Sequence, residues 1–285
     1  MDLQEKLASI TDELGVQRAD VFNDILRLNK QVTPRKPVYT HRLEPVENKV
    51  TLIPLADMHL GHRESLREKV AEAVEMILRT PGCYTVILGD AVENATKVSV
   101  GLGIYEEDMH LRDQMHLLVD LLRPLVDAGR LLGIHTGNHE FRSSILLGIN
   151  PMELIASQLN VPYLDYQGFH QILVGEQEYQ MMSTHGVGCG RTTGSKVNSV
   201  ERMADVAPLM DLFIAGHTHI RHTHDDVRYV MQGGKLIPMK RYYVICGSFI
   251  SYFGGYPEMK VLSPSSTGVT MIEFYADQHN IRVSI

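Results

Sequence analysis

The chain has 285 residues, 44% of them hydrophobic and 21% charged, and a formal net charge of −7. That length suits one large domain with a small appendage, and the acidity excludes a generally basic surface for nucleic acid. Three scattered cysteines, Cys83, Cys189 and Cys246, argue against a disulfide framework or a thiolate metal site and for a reducing compartment. No basic-then-apolar leader opens the chain and no apolar run approaches the roughly 18 residues of a bilayer span. A soluble, cytoplasmic protein without a membrane partner is therefore expected.

Residues 2–30 carry helical spacing, with Leu3, Leu7, Ile10 and Leu14, a break at Gly15, then Val21, Ile25 and Leu28. The segment from Ile10 to Leu26 has the outline of a helix-turn-helix. Acidic residues outnumber basic ones there, which favours a helical hairpin that packs on the main domain or on another copy over DNA contact. Residues 31–49, with Pro34, Pro37 and Pro45, read as a linker. The expected division is thus a helical appendage and linker over 1–48 and a catalytic domain over 49–285.

From Lys49 strands and helices alternate. Strands are predicted at Val50–Ala56, Tyr84–Leu88 and Arg130–His135. The helices between and after them are Glu64–Arg79, Met109–Ala128 and Pro151–Gln158, with 91–107 a loop. Later strands follow a meander at His170–Val174, Tyr179–Thr184, Leu212–Ala215, Tyr242–Cys246, Gly268–Tyr275 and Asn280–Ser284, with a helix inside Gly194–Val206. The pattern predicts an α/β protein built of two packed sheets flanked by helices.

Five strand ends carry metal-ligand residue types: Asp57 and His59, Asp90, Asn138 and His139, His185, and His217 with His219. In extended backbone, side chains two apart share a face, so Asp57/His59 and His217/His219 each present a pair. Loops at one edge of an α/β sheet gather into a site. Imidazole, amide and carboxylate donors together suit Mn, Fe, Zn or Ni; an all-oxygen magnesium site would not need four histidines.

The blocks Asp57-x-His59, Gly89-Asp90-x-x-Glu93, Gly137-Asn138-His139-Glu140, His185-Gly186 and Gly216-His217-Thr218-His219 resemble the calcineurin-like metallophosphoesterase superfamily. The resemblance covers about residues 50–285, and the first block is loosely nearest the exonuclease-like branch. It implies a four-layer α/β/β/α sandwich of two mixed sheets with two divalent transition-metal ions, Mn foremost. Asp57, His59 and His219 would bind one ion, Asn138, His185 and His217 the other, and Asp90 both. It also implies attack on phosphorus by a hydroxide held between the ions, with His139 facing the substrate and Glu93 orienting His139; many relatives have Asp where this chain has Glu93.

Substrate choice stays open at this point. The first block, the helix-turn-helix outline and an aromatic stretch at Ser248–Tyr256 favour a phosphodiester of a nucleic acid or nucleotide. A phosphomonoesterase on a nucleotide or phosphoprotein is the alternative, although the Arg-Gly pair of Ser/Thr phosphatases is replaced by Asn94-Ala95. A catalytically silent scaffold or DNA-binding regulator is the third reading. Candidate substrate contacts are Arg191 and Lys196, in the glycine-rich stretch after His185, and Tyr252 for base stacking. His222 and His224 are expected on the surface.

Overall fold

A computed structural model of the chain describes residues 37–285 apart from 98, 100–102, 189, 254–257, 259–260, 262–263 and 265–266. The chain divides after Pro37, and Val38–Ile285 forms the larger unit. The helices expected over 2–30 lie outside the described residues.

Two six-stranded mixed sheets form the body. The first contains β2 (Lys49–Leu52), β3 (Cys83–Ile87), β4 (Leu131–His135), β5 (Tyr163–Asp165), β11 (Met271–Tyr275) and β12 (Ile281–Ser284), in the order β12-β11-β2-β3-β4-β5. Strands β2 to β5 run parallel, and β11 and β12 add antiparallel at one edge. The second contains β1 (Val38–Leu43), β6 (Gln167–Val174), β7 (Gln177–Thr184), β8 (Leu212–Ala215), β9 (Arg221–Gln232) and β10 (Lys235–Cys246), in the order β1-β6-β7-β8-β10-β9.

Three apolar layers hold these sheets and their helices together. Leu52, Val86, Leu88 and Leu132 of the first sheet pack against Ile172, Met181, Leu212, Ile214 and Val244 of the second. The outer face of the first sheet, through Ile53, Ile87 and Ile134, meets α1 (Arg67–Arg79), α3 (Leu111–Asp127) and α5 (Pro151–Leu159). Their contact residues, such as Val70, Val74 and Ile77 or Leu118, Leu122 and Leu125, recur at three to four positions, one stripe of a helix. The outer face of the second sheet, through Met182, Phe213, Tyr243 and Ile245, meets α6 (Thr193–Glu201) and α7 (Met203–Val206). The result is the α/β/β/α layering. Short α2 (Gly103–Glu106) and α4 (Asn138–Leu147) complete the helices among the described residues, none of which is long and apolar enough to cross a membrane.

Several expectations change, and the stretch 91–107, expected as a loop, holds the short helix Gly103–Glu106. Val38–Leu43, inside the stretch read as linker, is a full strand paired in parallel with β6, so the sheet unit begins ahead of residue 49. Pro37 and Pro45 flank this edge strand without interrupting it, which is where proline is tolerated. A helix starts directly at Asn138, where no helix was expected before Pro151. The strand expected at Tyr242–Cys246 is the last part of a long hairpin, β9 with β10, turned by Gly233-Gly234, both at positive φ.

Candidate metal centre

The site sits where β2, β3, β4, β7 and β8 end. The β2 chain keeps donating to its neighbour past the ladder, with Leu55 N to Val86 O and Asp57 N to Gly89 O, which carries Asp57 beside Asp90. Here the backbone becomes unusual. Asp57, His59, Asp90, His217 and His219 all have positive φ, between 46° and 65°. Each such non-glycine residue costs on the order of 1–3 kcal/mol, and such strain persists where surrounding structure enforces it, most often at functional sites.

Close packing explains the glycines of the motifs. A Cβ on Gly137 would lie 2.1 Å from Asp90 Oδ1, and one on Gly216 would lie 2.7 Å from Asp57 Oδ2. Each glycine makes room for a carboxylate.

Three clusters of ligand-type atoms result, each within 4.8 Å: Asp57, His59 and His219; His59, Asp90 and His139; Asp90, His185 and His217. Asn138 joins the last, its Oδ1 3.0 Å from His185 Nε2. Thus all seven residues expected as ligands converge, His59 and Asp90 each belong to two clusters, and His139 belongs to the cluster those two share.

The donor chemistry fits a cation. His185 Nδ1 lies 2.9 Å from the Leu88 carbonyl, which can only accept, so Nδ1 carries a proton and Nε2 is the nitrogen turned to the site. Nε2 faces Asn138 Oδ1 at 3.0 Å and Asp90 Oδ2 at 3.3 Å. Two oxygens on one ring nitrogen call for positive charge there, from a proton on Nε2 or from a cation that displaces it. His59 repeats the arrangement, with Nδ1 3.0 Å from Glu93 Oε2 and Nε2 3.3 Å from His219 Nε2. Asp57 Oδ2 accepts from His217 N at 2.8 Å, while its buried Oδ1 has no hydrogen-bond partner, with His219 Nε2 3.2 Å away. A ligating histidine whose other nitrogen is held by a carboxylate or carbonyl is the usual support of a metal site.

The electrostatics point the same way. Burial opposes charging of His185, but Asp90 and then Asp57 outweigh it and raise its pKa to about 10. Burial likewise opposes charging of His139, and Asp90 and Glu93 raise it to about 9. His217 goes the other way, to about 4, through burial and the neighbouring His185. Asp90 is held well below the usual carboxylate range; burial works against this, and His185 and His139 overcome it.

Glu93 is the hinge between centre and rim. Its Oε2 lies 3.0 Å from His59 Nδ1, its Oε1 3.2 Å from His139 Nδ1, and Arg142 approaches Oε1 at 3.6 Å. The glutamate therefore reaches His139 and holds His59 as well.

Sequence reasoning missed Glu140. It is fully buried, and its two oxygens accept from Asp90 N at 3.1 Å, Ala91 N at 2.7 Å, Val92 N at 3.1 Å and Gly137 N at 2.8 Å. It ties the Asp90 loop to the Asn138 loop. The signal was a Glu three residues after Gly137, the position from which a helix's third residue caps its own start. Asn94 adds a brace, donating to the His139 carbonyl at 2.7 Å and accepting from Ser143 Oγ at 2.8 Å.

The expected substrate contacts are not brought into this cluster. Arg191 is exposed, Lys196 Nζ donates to Thr218 O at 3.0 Å, and Tyr252 packs edge-on against Phe253. Among the described residues, no hydrogen bond or ion pair joins these side chains to those of the clusters. Lys196 instead braces the peptide between His217 and His219. His224, expected on the surface, is half-buried there: it stacks on Tyr243 at 4.8 Å and places Nε2 3.0 Å from Glu201 Oε1.

No protein-family model matches the chain, and no curated protein matches it. Among solved structures, it is similar to a hypothetical protein from Pyrococcus horikoshii OT3, with 10% identity, a TM-score of 0.41, and coverage of 82% of this chain and 87% of that one. It is also similar to GAP50, described as the anchor in the inner membrane complex of Plasmodium, with 10% identity, a TM-score of 0.43, and coverage of 83% and 84%. At that level neither carries a function across. The site itself supports a plainer conclusion: its buried histidine and aspartate groups can hold metal ions.

Proposed function

We propose that the chain is a binuclear-metal phosphoesterase of the calcineurin-like kind, hydrolysing a phosphodiester of a nucleic acid or nucleotide. The observation that carries this is an overlapping run of clusters: His59 links the Asp57 and His219 group to Asp90, and Asp90 links on to His185 and His217, so one carboxylate stands between the two groups with His139 beside it. Asp57, His59 and His219 would hold one ion, Asn138, His185 and His217 the other, and Asp90 both. When bound, such a pair supplies Lewis acidity and a water acidic enough to be a nucleophile at neutral pH.

The chain's own residues do the rest. His139 Nδ1 lies 2.9 Å from the Glu93 carbonyl, which fixes it as the protonated nitrogen and turns Nε2 toward the Asp90 side. From there Nε2 can donate to the leaving oxygen, and Glu93 stabilises the imidazolium before the transfer. The His139 ring also stacks edge-on against His59, centroids 4.6 Å apart, so the proton donor and a ligand share one orientation.

The test is hydrolysis with Mn(II) of bis-p-nitrophenyl phosphate, oligonucleotides and p-nitrophenyl phosphate, alongside metal analysis. Diester cleavage with about two ions per chain is expected. Turnover of the monoester alone would move the reading to a phosphomonoesterase. A metal-free, inactive protein would move it to a silent scaffold. His139→Ala should keep its metal and lose roughly a hundred- to ten-thousand-fold in turnover, whereas Asp90→Asn should lose metal.

A further inference from the structure

A chain of buried polar side chains crosses the core just below the metal centre. Ser183, on β7 two residues before His185, has its Oγ 2.7 Å from His135 Nε2 on β4 and 2.7 Å from His170 Nε2 on β6. His170 Nδ1 lies 3.0 Å from His41 Nε2 on β1, and His135 Nδ1 lies 3.0 Å from the Asp165 carbonyl. Ser183 and His135 are fully buried and His170 is nearly so.

The donor order follows from the ends. A carbonyl only accepts, so His135 Nδ1 donates and its Nε2 accepts from the Ser183 hydroxyl. Ser183 then has only lone pairs for His170, whose Nε2 donates and whose Nδ1 accepts from His41. Every junction pairs one donor with one acceptor while all three imidazoles stay neutral. Burial, with help from His41, keeps His170 well below the usual histidine range, and burial lowers His41 to about 4, which agrees with neutral rings. The relay also explains a glycine: a Cβ on Gly168 would lie 2.7 Å from His170 Nε2 and 2.8 Å from Ser183 Oγ.

The two ligand groups that would each hold an ion draw on both sheets. Asp57 and His59 follow the first sheet's β2 and meet His219 from the second; Asp90 and Asn138 follow β3 and β4 and meet His185 and His217. The core between the sheets is otherwise largely apolar, and apolar contact has no preferred direction, so it tolerates small sliding of one sheet on the other. Hydrogen bonds are directional and do not. We propose that the Ser183 relay fixes the relative position of β4 and β7 and thereby places Asn138 and His185 for the ion they would share. These are positioning residues, and the inference rests on the metal-centre reading above.

The experiment compares the full chain, Ser183→Ala, and the triple variant His135→Leu/Ser183→Ala/His170→Leu. Each is titrated calorimetrically with Mn(II) and melted without metal, and the wild type's imidazole nitrogens are assigned by long-range ¹H–¹⁵N spectra. Ser183→Ala strands two buried imidazole nitrogens and should lose both stability and metal affinity. The triple variant replaces the relay with apolar groups, which keeps stability, yet one of two binding steps should weaken roughly 10- to 100-fold. The spectra should show protons on His135 Nδ1 and His170 Nε2. A folded triple variant that binds as the wild type does at both steps, or weakens equally at both, overturns the inference, as does the opposite tautomer order. A wild type that takes up no metal overturns the metal-centre reading and this inference together; relay failure alone shows normal uptake in every variant.

Discussion

Glu140→Gln isolates the tie between the two central loops. Its Oε1 accepts from the N–H groups of Ala91 and Val92, and its Oε2 from those of Asp90 and Gly137. Glutamine keeps the shape but turns one oxygen into an NH2 group. Whichever way the amide is turned, two of the four buried N–H groups face a donor in place of an acceptor. At about 1–3 kcal/mol for each stranded donor, the loss is roughly 2–6 kcal/mol. That is a large share of the roughly 5–15 kcal/mol by which domains are stable. Urea unfolding followed by circular dichroism measures it, and the midpoint should fall without a change in slope. Mn(II) affinity should fall with it, because Asp90 and Asn138 sit on the loops released. A stability change within about 0.5 kcal/mol, the range of ordinary surface substitutions, would refute the assignment of Glu140 as the tie.

Three further outcomes are expected. Gly137→Ala must displace Asp90, since the new Cβ would lie 2.1 Å from its Oδ1; metal analysis of the folded protein should show loss of bound ion. Glu93→Gln removes the carboxylate that holds His59 and His139; kcat should fall roughly 10- to 100-fold, a drop that an unchanged rate would contradict. His279 has its pKa raised, chiefly by the hydrogen bond to Asp211 and against burial. A raised folded pKa gives stability that is fully present below the unfolded value of about 6.5 and is lost as the pH rises above it. His279→Gln should flatten the decline in melting temperature across that range, by a small amount because the ring is half-exposed.

The sequence alone singled out the candidate ligands Asp57, His59, Asp90, Asn138, His185, His217 and His219, because each stands just past an apolar strand. The roles expected of His139 and Glu93 came from the resemblance of the motif blocks. The sandwich of two sheets was legible from helix-separated strands followed by a meander. What stayed hidden depended on neighbours far along the chain. Val38–Leu43 reads as linker until β6, more than a hundred residues on, supplies its ladder. Glu140 looks like one more helix acid until folding aims four N–H groups at it from two loops. Lys196 is one more cation of a glycine-rich stretch until folding sets its ammonium 3.0 Å from Thr218 O. His41, His135, His170 and Ser183 share no motif at all. Only the packing of four strands in two sheets brings them into one line, because hydrogen-bond partners are chosen by distance and direction in space, which local periodicity does not encode.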